Sequence, residues 1–194
     1  MPVPRGSSLD PERTRAVILH TATRIFYERG LDAVGIAELC TSAGVSKETV
    51  YRYFGSKNGL IEATLEARSD RVWRWLTKVV EAADDEPVKQ LIAVFDAFKR
   101  WYSEPGFRGC GIVNAVSQRH DVPAIVIARR HLDRYLTLLT DIATRAGAKD
   151  PANLGHQLLI LVEGATVTAD HFEQPRMADY ARQAALTLLV HGSN

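Results

Sequence analysis

The amino-acid sequence predicts an all-α protein, and three features carry that prediction. Apolar residues recur every three or four positions through most of the chain, the period of a helix with one buried face. Asp-Pro, Ser and Pro starts, with glycine stops, divide these runs into segments of helical length. No strand-like alternation of useful length and no internal repeat interrupts them. About nine helices follow from this punctuation.

Asp10-Pro11-Glu12 supplies an N-cap, a first-turn proline and an acid near the positive helix end. Ile18, Ala22, Ile25 and Phe26 then form an apolar stripe that stops near Gly30. Ile36, Leu39, Cys40 and Ala43 give a second helix its inner face, and Gly44 provides a left-handed stop. Ser46 caps a third helix, Lys47 to Phe54, which turns Val50 and Phe54 inward and leaves Lys47, Thr49, Arg52 and Tyr53 outside. Ser56 caps a fourth, expected from Lys57 to about Ala83, with no flexible linker before it. Leu91, Phe95, Phe98 and Tyr102 keep helical spacing after Pro87, until Glu104-Pro105-Gly106 breaks the run. A shorter helix is expected around Phe107 to Gln118, holding Cys110, Val113 and Asn114. Pro123 opens a longer one that ends at Gly147, Asp150-Pro151 opens the next to about His171, and Pro175 begins the last.

Of 194 residues, 46% are hydrophobic, enough for a real core. A net charge of +1 excludes indiscriminate polyanion binding, but residues 44–57 concentrate Lys47, Arg52 and Lys57 against Glu48 alone. A short helix laid across another, with donors on its free face, suits the major groove of DNA. Residues 10–56 therefore read as a helix-turn-helix domain, 57–194 as a helical body and 1–9 as a flexible arm. Arg5 in that arm has two readings, a minor-groove contact or simple solvation. Cys40 and Cys110 are too few for a disulfide framework and have no zinc spacing, which points to a reducing, cytoplasmic setting. No metal or other cofactor is expected. The N-terminus lacks the apolar stretch of a signal peptide, and the run Leu158–Val162 is too short to span a bilayer.

The segment AGVSKETVYRYFGSKNGL, Ala43 to Leu60, has turn, caps and aromatic pair in order within roughly residues 12–62. With the helices that follow, it resembles the TetR family of transcriptional regulators. RGCGIVNA, Arg108 to Ala115, also looks like the sixth-helix segment of one broad subset of that family. The resemblance implies a homodimer on a near-palindromic double-stranded DNA operator, usually repressing, and released by a small molecule in the C-terminal domain. It implies that Lys47, Glu48, Thr49 and Arg52 read base edges, and that Tyr51, Tyr53 and Lys57 grip phosphates. The residue chemistry agrees for Arg52, whose fork suits guanine O6 and N7, and for Lys57, a point charge beside a helix start. Glu48 either accepts from cytosine N4 or sits outside and tunes repulsion. Val34 and Gly35 stand where the family often has Thr or Ser, and Ala37 where Arg is frequent. Gly59 adds a helix-interior cost of roughly 0.5–1 kcal/mol relative to Ala.

In the body, Phe98, Tyr102 and Phe107 are the aromatic candidates for a ligand pocket, with Asn114, His131 and Glu163 as the polar ones. Packing or a satisfied structural polar group explains each equally well. Leu154, Leu158, Val162 and Ala165 on one late helix, and Tyr180, Ala184 and Leu188 on the other, are the expected dimer contact; the alternative is that they close the monomer's own core. Three functions compete: a ligand-released repressor; a DNA-binding dimer controlled by abundance, a partner or oxidation of Cys110; and an enzyme built on His120, His131, His156 or His171. No catalytic spacing supports the enzyme.

Overall fold

Local caps set the helix boundaries in the computed structural model, which describes residues 10–119 and 121–193. The expected arm 1–9, with Arg5, and His120 lie outside the described residues. Asp10 accepts from the Glu12 N–H at 3.1 Å and starts α1, Pro11–Arg29. Next come α2, Ile36–Ala43, and α3, Lys47–Phe54, whose N-cap Ser46 accepts from the Thr49 N–H at 3.2 Å. Ser56 Oγ accepts from the Gly59 N–H at 3.0 Å at the start of α4, Lys57–Ala82. The body continues with α5, Pro87–Tyr102; α6, Gly111–Arg119; α7, Val122–Arg145; α8, Pro151–His171; and α9, Met177–Ser193. Among the described residues no helix is long and apolar enough to cross a membrane.

Two boundaries differ from expectation. α6 begins at Gly111, not near Phe107, because Gly109 takes a left-handed φ of 67° and Asn114 Nδ2 donates to the Arg108 carbonyl at 2.8 Å, holding a turn open. α9 begins at Met177, after a tight turn in which the Ala178 N–H donates to the Pro175 carbonyl. Gly59, read from sequence as a weak helix former, has a positive reason to be there. A Cβ at Gly59 would overlap the Phe54 carbonyl oxygen, so α3 and α4 can meet this closely only over a glycine.

Two apolar clusters hold the chain together. One joins Leu76 on α4, Phe95 and Phe98 on α5, Tyr135 and Leu139 on α7, Leu158 and Val162 on α8, and Ala185 and Leu189 on α9. The other joins Ile18, Phe26, Val34, Leu39, Val50, Leu60 and Leu65 to Ile112 and Ala115 of α6 and Ile127 of α7. The three N-terminal helices therefore share one core with α6 and the start of α7. At roughly 25 cal/mol per Å² of apolar surface buried, that shared packing resists independent motion of the small three-helix unit.

The expected dimer contact needs correction. Leu154, Leu158, Val162 and Ala165 are 4%, 0%, 1% and 5% exposed and belong to the chain's own core. α8 is apolar on more than one side, so helical periodicity alone does not say which stripe faces inward. Tyr180 is exposed, whereas Ala184 and Leu188 are half-buried. The apolar side chains that α8 and α9 leave uncovered are Ile160, Val167, Tyr180 and Val190, with Phe172 just after α8.

Candidate nucleic-acid interface and the clefts behind it

α3 is fixed from behind and free in front. Val50 is fully buried, and Phe54 packs half-buried against the same cluster, as the spacing requires. Tyr53, expected outside, instead lies half-buried along the edge of that cluster, its ring 6.4 Å from that of Phe54. The outer face carries Lys47, whose Nζ stands 5.5 Å from the centre of the Tyr51 ring, and Arg52, which has no carboxylate partner among the described residues. Thr49 is half-buried, its hydroxyl 3.1 Å from that of Ser46. Glu48 is engaged locally: its own backbone N–H and the Ser46 hydroxyl hold its carboxyl below the usual range, so it stays an anion at the positive end of α3. Lys57 sits half-buried in the first turn of α4. Arg15, which sequence inspection did not single out, lies over the Phe54 ring at 5.3 Å and adds a cation beside α3.

α2 has no side-chain cap at Gly35, in line with the missing hydroxyl. Val34 is 0% exposed, and its place in the core favours an apolar residue over Thr or Ser.

The residues that couple this end to the body lie on α6. Gln118 Oε1 accepts from the Leu31 N–H at 3.0 Å. Arg119 donates to Asn58 Oδ1 at 3.1 Å, with Asp121 and Asp32 3.4 and 3.9 Å from its Nε. At the other end of α6, the Tyr27 hydroxyl accepts from the Arg108 N–H at 2.8 Å and donates to the Gly109 carbonyl at 3.0 Å. The Arg68 guanidinium stacks over the Tyr27 ring at 3.9 Å. The hydrogen-bonded partners among these are 61 to 87 residues apart in the chain, and no local spacing announces them.

The candidate ligand residues do not converge on one cavity. Phe98 is buried among Trp75, Trp101, Tyr102 and Tyr135, beside a gap of only about 10 Å³. The Tyr102 hydroxyl meets the Thr166 hydroxyl at 2.8 Å, and burial raises its pKa. His131 is buried with Nδ1 3.1 Å from Ser69 Oγ and Nε2 3.7 Å from Cys110 Sγ. Burial, with Arg134 and Arg68 nearby, lowers its pKa to about 4, so it is a neutral, satisfied core histidine. Cys110 is buried, and burial pushes its thiol up to about 11, away from the thiolate a redox sensor needs. Glu163 is half-buried, and burial raises its pKa to about 7. Asn114 and Phe107 do line space, but in separate clefts.

The first cleft, about 570 Å³, lies between α1, α4 and α6 and includes Tyr27, Arg68, Arg108, Asn114, Gln118 and Asp170. The second, also about 570 Å³, lies between α4, α5 and the loop after α5, and includes Arg68, Arg71, Trp75, Arg100, Trp101 and Phe107. Tyr27 and Arg68 line both.

Residues 18–64 match the family described as bacterial regulatory proteins, tetR family. A TetR-family transcriptional regulator from Streptomyces coelicolor, SCO4454, superposes with a TM-score of 0.83 at 31% identity over 93% of this chain and 96% of that one. The transcriptional activator FasR of Mycolicibacterium smegmatis is 32% identical over 94 residues, 48% of this chain and 42% of its own. The transcriptional repressor BdcR of Escherichia coli is 29% identical over 129 residues, 66% of this chain and 64% of its own. The chain thus spans about half the length of the curated relatives it matches. These relatives are named as regulators of transcription, not as enzymes. With the helix-turn-helix in place and the all-α body shared along almost its whole length, the chain belongs to the TetR family of transcriptional regulators.

Proposed function

We propose that this protein is a homodimeric, cytoplasmic repressor that reads a near-palindromic operator and leaves it when a small molecule binds the helical body. The observation that carries the reading is the free face of α3, where Lys47, Tyr51 and Arg52 are exposed on a helix anchored from behind by Val50. Lys47, Thr49 and Arg52 are assigned to base edges, Tyr51 and Lys57 to phosphates. Glu48 serves the start of the helix, and Tyr53 steadies its packed side.

One α3 helix reads half a site and binds weakly. Two must face successive major grooves, about 34–36 Å apart, which requires a twofold assembly. The uncovered apolar side chains Ile160, Val167 and Tyr180 on neighbouring helices suit a four-helix contact with a second copy. A ligand loosens the operator complex only by as much as its affinities for the two arrangements differ.

The test is to sequence DNA fragments retained by the purified protein. A palindromic consensus is expected, and Arg52→Ala should cost about 1–3 kcal/mol and relax one base position per half-site. Transcription from a promoter carrying that consensus should fall when the protein is present. Retention without any consensus, or a consensus lacking symmetry, overturns the reading.

A further inference from the structure

The cleft between α4 and α5 carries an unbalanced charge on an aromatic floor. Arg68, Arg71 and Arg100 line it against a single acid, Glu104. None of the three arginines has a carboxylate partner among the described residues, in a chain whose 24 cations and 23 anions otherwise nearly cancel. Five other arginines of the body are paired: Arg119, Arg130, Arg134, Arg145 and Arg182 each meet an acid. Trp75, Trp101 and Phe107 are half-buried and supply flat apolar surface, with Trp101 and Phe107 edge to face at 4.9 Å and Trp75 6.5 Å from Trp101. A guanidinium fork matches a carboxylate in two parallel hydrogen bonds, and it is stronger where a wall excludes water. Flat rings on the other side of the same space accept a flat partner edge-on or offset.

We infer that this cleft is the effector site and that its ligand is a small aromatic carboxylate, with the acid group held by Arg71 and Arg100 and the ring set among Trp75, Trp101 and Phe107. This rests on the ligand-released reading given above and narrows it to a place and a chemical class. The site has a route to the DNA-binding end. Arg68 lines the cleft with one side and stacks on Tyr27 with the other, and the Tyr27 hydroxyl ties α1 to the foot of α6 through Arg108 and Gly109. A negative charge held beside Arg68 competes with the Tyr27 ring for its guanidinium. Weakening that stack removes a contact between α1 and α4, and α4 follows directly on α3. Glu104, on the loop wall, disfavours a second acid on the ligand.

The probe is naphthalene-2-carboxylate, titrated calorimetrically into the full chain beside its neutral carboxamide and decanoate. The carboxylate should bind at least tenfold more tightly than either, and the double variant Arg71→Gln/Arg100→Gln should lose at least tenfold of that affinity. Both side chains are exposed, so the thermal unfolding midpoint of the variant should match that of the parent. Equal binding of acid and amide, equal binding of decanoate, no binding of the acid, or full affinity in the double variant each overturns the assignment. The same titration against protein on its selected DNA separates the two ideas. Arginine-dependent binding without loss of DNA upholds the cleft and sinks ligand release. Release by another compound, with no aromatic carboxylate bound, sinks the cleft and leaves release standing.

Discussion

The helix-turn-helix and the α8–α9 pair are both helical and both rich in apolar residues, yet only the first declares its faces. In α2 and α3 the apolar positions gather on one side, so Leu39, Cys40 and Val50 have one place to go, and the caps at Ser46 and Gly44 are satisfied within a few residues. In α8 the run Leu158 to Val162 is apolar all round. Leu158 is fully buried in the chain's own core, while Ile160, two positions on, is 70% exposed. The lesson is physical: a stripe identifies a buried face only when the opposite face is polar enough to be excluded from burial. An apolar residue on the second face of α8 is instead left at the surface, where we propose that the second copy packs.

The sharpest way to break this comparison is to cut the two faces separately. Leu158→Ala should cost about 2–5 kcal/mol in chemical denaturation, the range for an emptied core site. Ile160→Asp should keep the helical circular dichroism signal and shift sedimentation from dimer to monomer. If Ile160→Asp stays dimeric while Leu158→Ala dissociates without unfolding, the assignment of inner and outer faces is reversed.

Gly59→Ala probes the junction between α3 and α4. The added methyl meets the Phe54 carbonyl, so it should destabilise the protein by about 1–3 kcal/mol and weaken DNA binding beyond what stability explains. A neutral or stabilising effect in a melting experiment would mean that the two helices are free to move apart there.

Glu163 gives a pH signature in the body. Its native pKa, raised to about 7, lies above the ordinary carboxylate value, so the folded state holds the proton more tightly than the unfolded chain. Its contribution is therefore present below the unfolded value and is lost as pH rises toward 7. Glu163→Gln should remove that decline and gain about 1–2 kcal/mol at neutral pH, a figure reduced for the half-exposure of the side chain. Parallel stability–pH curves for the two proteins between pH 4.5 and 7 would contradict it.

The smallest effect belongs to the N-terminal region. Gly35 caps α2 with ordinary extended geometry, and a Cβ there meets nothing within 4 Å. Gly35→Ser should supply the missing side-chain cap and stabilise by a few tenths of a kcal/mol. A loss of stability would show that the open position is used by something other than the cap.

Legibility followed the range of the interaction. Helix number, the ends of α1 to α5 and the helix-turn-helix can be read because caps, prolines and glycines act within four or five residues. α6 starts later than the spacing predicts because the left-handed turn at Gly109, braced by Asn114, is also held by Tyr27, more than eighty residues away. The polar candidates were located on the right helices but not on one cavity. Asn114 braces a turn, and His131 is satisfied by Ser69 and Cys110, partners that reach it only when α4, α6 and α7 pack. The arginines of the α4–α5 cleft carry no signal in the sequence, since three cations spread over thirty-odd residues look like solvated surface until folding gathers them.

By itself, then, the sequence determined the helical class, the helix-turn-helix and the chemistry of its exposed residues, because these depend on neighbours along the chain. Tertiary structure alone decided which side of α8 is core and which cations face a cleft. It also decided how α6 grips Leu31 and Asn58. Those outcomes depend on which helix arrives opposite which, and an amphipathic pattern records that a face is buried without naming what covers it.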